Sequence, residues 1–162
     1  MSIKLDRISH TYMKKTPYER TALKDISLGI ERGEFIAVIG STGSGKSTLM
    51  QHFNGLLAPD NGKVTIDDID INAKGSLSKE AKNKVGMVFQ YPEHQIFAET
   101  AFEDVAFGPR NKGFTEAEVE QLVRNALNAV NLDYDIYAQR SPFQLSGGQM
   151  RRLAIAGILA ME

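Results

Sequence analysis

The 162-residue chain contains no cysteine. That excludes disulfides and thiolate metal sites and agrees with a reducing compartment. It has almost no net charge, since 19 Lys and Arg against 20 Asp and Glu leave −1 at pH 7. Nucleic-acid binding therefore has no electrostatic support. Long apolar runs are missing too. The longest, Leu153 to Met161, falls far short of the ~20 residues that cross a bilayer, and the amino terminus lacks the apolar core of a secretory signal. Any membrane attachment is expected to come through a partner. The three histidines, His10, His52 and His94, lack metal-ligand spacing and read as structural or surface residues. What remains is ordinary for a globular domain: 42% hydrophobic, 24% charged and long enough to bury a core.

Against this plain background one segment is sharply patterned. Gly40-Ser41-Thr42-Gly43-Ser44-Gly45-Lys46-Ser47 matches the phosphate-binding loop G-x-x-x-x-G-K-[ST] in full. The apolar run Phe35 to Ile39 before it reads as a buried strand, and Thr48 to Asn54 after it reads as helical. The mechanism needs that order. Glycines let the backbone wrap close to phosphates with its N–H groups turned inward, and a helix N-terminus adds its positive dipole end. Lys46 is placed to reach the β- and γ-phosphates, and the Ser47 hydroxyl to join a Mg²⁺ shell. A glycine turn that merely caps a helix is the competing reading, and the strand–turn–helix context disfavours it.

A second motif, Leu145-Ser146-Gly147-Gly148-Gln149, lies about a hundred residues downstream. Ser146 and Gln149 form a capping-box pattern ahead of the apolar run Leu153 to Met161, so a helix N-terminus is expected there, with two glycines leaving its backbone uncovered. The two motifs together resemble the ATP-binding-cassette ATPases. The resemblance implies that Leu145 to Gln149 is the signature motif, which faces the ATP held by a second cassette subunit. It also implies that Gln90, at the end of the apolar run Val85 to Phe89, is the Q-loop glutamine near Mg²⁺ or the attacking water. That run reads as a second buried parallel strand, and carboxyl ends of such strands are where ligands bind.

The strings Phe89 to Phe97 and Glu103 to Asn111, with the amino-terminal Met1 to Leu5, resemble one branch of the family, the ATPase subunits of energy-coupling-factor transporters. The likeness covers essentially the whole chain. It implies ATP and Mg²⁺ as cofactors and ATP hydrolysis coupled to uptake of a vitamin or transition-metal ion. The partners it implies are a second cassette subunit (same or different chain), a transmembrane coupling subunit and a substrate-binding membrane subunit, at the cytoplasmic face of the membrane. In this branch the coupling subunit docks near the Q-loop, here Tyr91 to Phe97 and the helix that follows. For Tyr91, Ile96 and Phe97, core packing is an equal alternative. Family members stack an aromatic on adenine; Tyr12 is favoured here and Tyr18 is the competitor. Stacking alone does not separate ATP from GTP.

The fold expected is α/β: a P-loop NTPase (RecA-like) core with an antiparallel β-layer and an α-helical subdomain. Residues 1–91 are assigned to the core and β-layer, 92–150 to the helical subdomain with the signature motif, and 151–162 to a return towards the core. Strands are expected at Ile3 to Ser9 and Leu23 to Ile30, and a tight Asp67-Asp68 hairpin turn after Asn61 to Ile66. Helices are expected near Glu99 to Gly108 and over Thr115 to Val130, the latter opened by a capping box. The resemblance implies that the Walker B acid and the switch histidine would fall beyond Glu162, leaving the core sheet incomplete and the 162 residues alone inactive. Asp67, Asp68, Asp70, Glu103 and Asp104 read as solvated surface, not as substitutes. A non-catalytic cassette fragment, or a cassette ATPase of the repair or translation kind, remains the alternative; the latter favours a basic face or a long coiled-coil insertion between Gln90 and Leu145.

Overall fold

The alternating residues at the amino terminus form strand β1 (Ile3–Tyr12), which pairs antiparallel with β2 (Arg20–Ile30) and, on its other edge, with β3 (Asn61–Ile66). A computed structural model describes residues 1–161 of the chain. A short strand β4 (Ile69–Asp70) completes a four-stranded sheet ordered β2-β1-β3-β4. The β3–β4 turn is the expected Asp67-Asp68, both with positive φ (47° and 63°), as a tight hairpin turn requires. Helices α1 (Lys46–Phe53) and α2 (Ser76–Asn83) complete a compact unit, Met1–Val85.

β1 does not alternate all the way. Ile3 and Leu5 are buried, then Ile8 and His10, so the phase changes by one residue in between. Arg7 is the cause. Its φ of 46° marks a bulge where the pairing with β2 slips between Leu5 and Ile8, and a bulge re-aims every side chain beyond it. Without it His10 and Tyr12 would face the other side of the sheet. The core beneath this face holds Ile3, Leu5, Ile8, Leu23, Phe53, Val64, Ile66 and Ile71.

The second unit starts at Gly86 and is helical. Its elements are α3 (Ala101–Asn111), α4 (Glu116–Ala129), α5 (Tyr134–Tyr137) and α6 (Gly147–Leu159), with 3₁₀ turns at Pro92–Gln95 and Pro142–Gln144. Thr100 caps α3, and Thr115 with Glu118 forms a complete capping box on α4. Val119, Val123, Ala126 and Leu127 form the apolar stripe of α4 and pack with Val105, Leu132, Leu153 and Ala156 in one cluster.

Two expectations need correction. Phe35 to Ile39 and Val85 to Phe89 are not strands, and the first is open to solvent, with Phe35 98% and Ile39 91% exposed. A parallel strand satisfies its backbone through a neighbour on each edge. The four strands of the described residues are all committed to the antiparallel sheet, and none pairs with either run. Local sequence supplies the apolar character; no partner strand among the described residues buries it. This is the uncovered apolar surface expected of an incomplete core sheet.

Leu127 is fully buried in the helical cluster. Leu127→Ala should cost about 2–5 kcal/mol through lost transfer and a residual cavity. Urea unfolding followed by circular dichroism measures this, and an unchanged midpoint would contradict the packing described.

Candidate functional site

The phosphate-loop sequence is seated against β2. Gly45 has φ +93°, and a Cβ there would lie 2.6 Å from the Ala22 carbonyl oxygen. Only glycine allows both that backbone and that approach. Gly40 and Gly43 also take positive φ, so the turn doubles back between Gly40 and Gly45. Helix α1 begins immediately after it, at Lys46, and no side chain caps its start. Its first-turn N–H groups are therefore left for a ligand. The Lys46 ammonium folds back over the turn and donates to the Gly40 and Ser41 carbonyls, both at 2.8 Å, and to the Ser44 hydroxyl at 3.4 Å.

One cleft of about 200 Å³ is lined by Tyr12, Arg20, Ala22, Gly43, Gly45, Lys46, Ser47 and Thr48. The structure thus brings Tyr12 together with the phosphate loop. Its hydroxyl lies 3.2 Å from the Thr48 hydroxyl. Tyr18 does not line this cleft and is 77% exposed. Arg20 is a lining residue that sequence reasoning missed. Its guanidinium donates to the Gly43 carbonyl at 3.2 Å, placing a second cation beside Lys46, and neither cation forms an ion pair among the described residues. Two cations without an ion-pair partner over an uncapped helix start are a favourable setting for an anion. No local motif marks Arg20; only its place at the start of β2, opposite Tyr12 in the strand register, could have pointed to it.

Ser41 and Thr42 in the loop, and Ser47 in the first turn of α1, are exposed. Ser47 supplies a hydroxyl of the hard-oxygen kind that Mg²⁺ accepts. Among the described residues no three His, Asp or Glu side chains gather into a metal-binding group. The loop's open N–H groups, two cations and a hydroxyl fit a triphosphate with its Mg²⁺ better than they fit a metal held by protein alone.

The other predicted site residues lie in the second unit. Ser146 caps α6 and accepts from the Gln149 N–H at 3.3 Å, while the Gln149 side chain accepts from the Ser146 N–H at 2.8 Å. The Gln149 amide also donates to the Tyr137 hydroxyl at 3.0 Å. Leu145 is buried beneath the turn. Gly147 and Gly148 have nothing within 4 Å of a Cβ position, so the start of α6 is unobstructed. Gln90 is exposed just after the Val85 to Phe89 run. Of the three docking residues considered, Tyr91 and Phe97 are exposed, whereas Ile96 is a core residue packed in the helical cluster. Ile96 belongs to the fold because the Pro92–Gln95 turn tucks it under the cluster that includes Ala101. Phe97 meets Phe107 edge to face at 5.0 Å, and both rings are exposed.

The ABC transporter family matches residues 23–162, and the chain belongs to it. It is similar to the energy-coupling factor transporter ATP-binding protein EcfA2 of Clostridium tetani, 56% identical over the whole chain and 56% of that relative. It is also similar to EcfA2 of Clostridium perfringens, at 52% identity over the whole chain and 57% of that protein. The chain thus spans a little over half the length of the curated relatives it matches. Among solved structures it resembles cbiO1 from Clostridium perfringens, described as part of the ABC transporter complex cbiONQ. There the TM-score is 0.84 at 36% identity, covering 98% of this chain and 61% of that one. It also resembles the dimeric ATP-binding cassette MJ0796 bound to ADP and Pi, with a TM-score of 0.81 at 34% identity over 98% and 69% of the two chains.

Behind the cleft, burial holds the His52 imidazole below its ordinary 6.5, against the bond to the Thr48 carbonyl, which raises it. His10 adds a lowering charge and Asp60 a raising one. Below about 6.5 the unfolded chain takes up a proton that the folded chain refuses, so stability is full above that pH and falls as pH drops towards the folded value. Carboxylates held low, such as Asp60 with Lys14, lose their contribution only in more acid solution. The urea midpoint of the first unit should therefore fall between pH 7.5 and 5.5, and fall less in His52→Asn. An equal drop in both proteins would contradict the assignment.

Proposed function

We propose that this chain carries the nucleotide-binding and signature elements of an ATPase subunit that drives an energy-coupling-factor importer. The observation that supports it most is the single cleft in which Tyr12, Lys46, Arg20 and the uncapped start of α1 converge. In this reading Tyr12 stacks on the base. Residues Gly40 to Thr48 hold the phosphates, with Lys46 on the β- and γ-phosphates and Ser47 on Mg²⁺, and Gln90 is the second Mg²⁺ contact. Bound MgATP supplies the phosphoryl group whose transfer to water drives transport. The chain's own residues bind and orient it. Leu145 to Gln149 present the start of α6 to the nucleotide of a second cassette subunit, a role in keeping with the dimeric MJ0796 cassette. The coupling and substrate-binding membrane subunits then place the protein at the cytoplasmic face of the membrane, with substrate choice left to the latter.

Removing the Lys46 ammonium deletes charge-assisted contacts worth about 1.5–3 kcal/mol each. Lys46→Ala should weaken MgATP binding by about tenfold or more, as titration calorimetry on the full-length protein would read; equal affinity would overturn the phosphate-loop assignment. Among the described residues no carboxylate lines the cleft. The 162 residues alone should therefore bind nucleotide but turn it over slowly, since a positioned base is worth about 10²–10⁴-fold. Phosphate release near 1 s⁻¹, absent in Lys46→Ala, would place a base where none has been identified.

The exposed pair Phe97 and Phe107, with Tyr91 nearby in sequence, is the proposed docking surface for the membrane-embedded coupling subunit, because buried aromatic anchors dominate interfaces. Phe97→Glu should leave folding and ATP binding intact while abolishing co-purification with that subunit. Ile96→Glu, a core change, should lose fold and binding together. Retention of the membrane subunit by both Tyr91→Glu and Phe97→Glu would sink the docking assignment.

A further inference from the structure

Four side chains close a ring behind the cleft. The His10 ring lies 4.6 Å from the Tyr12 ring at 76° and 5.0 Å from the His52 ring at 77°, both edge-on contacts. His52 Nδ1 lies 2.7 Å from the Thr48 carbonyl oxygen, and the Thr48 hydroxyl returns to Tyr12. The base of the ring is closed to solvent: His52 is fully buried, His10 and Thr48 nearly so. The ring therefore joins β1, which carries Tyr12, to α1, which carries Lys46 and Ser47.

The protons can be placed. A carbonyl only accepts, so His52 donates from Nδ1 to Thr48, and His10 donates from Nδ1 to the Ala58 carbonyl at 3.3 Å. His52 Nε2 is then a buried acceptor with no hydrogen bond among the described residues, the Ala58 carbonyl lying near the ring. Such an orphan costs stability, and an apolar side chain of similar size would avoid it. What the histidine contributes instead is its directed bond to Thr48 and its edge against His10. The other titratable groups facing the pair are Tyr12 and Asp60, the latter held by Lys14 and the Thr11 N–H.

We propose that His10 and His52 are positioning residues for nucleotide binding: they hold the Tyr12 ring at a fixed distance and angle from the phosphate-binding helix, so that base stacking and phosphate binding occur together. This rests on the reading that Tyr12 stacks on the base. His10 supplies the aromatic edge against which Tyr12 leans. His52 orients His10 and clamps the Thr48 carbonyl, one residue beyond Ser47. Neither histidine touches the nucleotide, and His10 meets Tyr12 without contacting the phosphate loop, so the loss of His10 falls on the base-dependent part of the affinity and leaves the phosphate-dependent part alone.

The test is calorimetric binding of MgATP and of magnesium tripolyphosphate, which has no base, to the full-length protein and its variants. His10→Ala should weaken MgATP about three- to tenfold, the span of a lost aromatic pair, with tripolyphosphate affinity unchanged. His10→Phe keeps the edge and should restore MgATP binding. His52→Asn places an amide donor where Nδ1 stands, though without the ring edge, and should bind MgATP more tightly than His52→Gln, which places the donor at the other ring nitrogen. If His10→Ala does not fold, the Asn and Gln pair decides. Equal MgATP binding by those two, or parallel loss of MgATP and tripolyphosphate, would overturn the positioning role while Tyr12→Ala still weakens MgATP. Should Tyr12→Ala bind MgATP like the parent, the stacking reading fails and the inference falls with it.

Discussion

Where Gly45 meets the Ala22 carbonyl there is room for a hydrogen and nothing larger. Much of the first unit follows from that contact. It fixes the phosphate-loop turn against β2, which is the strand that also carries Arg20, and β2 is held in register by β1, which carries Tyr12. The start of α1 is thereby set beside both. A methyl group at position 45 would force loop and strand apart and separate Lys46 from Arg20 and Tyr12. The antiparallel sheet is in this sense a jig for the anion site, and the Arg7 bulge is the part of the jig that turns Tyr12 inward.

What could be read from the residues and what could not divides along the range of the interactions. The glycine turn, the capping boxes at Thr115 and Ser146 and the Asp67-Asp68 hairpin are each built by neighbours within a few positions, so their chemistry is contiguous in sequence. The runs at Phe35 and Val85 look like strands for a good local reason, their continuous apolar character, but strand formation depends on partners that local pattern cannot supply. Arg20 was missed, and His10 and His52 were read only as structural or surface residues, for a related reason. His10 and Tyr12 two apart on a strand, and Thr48 and His52 four apart on a helix, are each compatible with sharing a face. Only the pairing of β1 with β3 and the packing of α1 make the two faces one. The docking segment is a mixed case: its aromatic content was plain, while the burial of Ile96 beside exposed Tyr91 and Phe97 depended on how one 3₁₀ turn is seated.

The two units handle helix starts differently, and the contrast has chemical meaning. In the second, Thr100, Thr115 and Ser146 satisfy a first-turn N–H of α3, α4 and α6 from within. In the first, α1 opens on a glycine that has no side chain to offer. A helix whose first turn is left bare and overlooked by Lys46 and Arg20 is stabilised by an incoming anion, so ligand binding and local order there are linked. At Ser146 the cap and the proposed signature role share the same atoms. Loss of Gln149 would loosen the helix start as well as alter what it presents.

The solvent-facing run Phe35 to Ile39 has one more consequence. Five consecutive residues, four of them β-branched or aromatic, stand without a ladder partner, with no charge and no proline among them. That is the composition of a segment that recruits any extended strand offered to it. Whatever extended strand the run meets first, whether within its own subunit or an identical run on another copy, competes for the same backbone hydrogen bonds. The yield of soluble protein is then set by a race between intramolecular closure, which is independent of concentration, and strand exchange between copies, which rises with it.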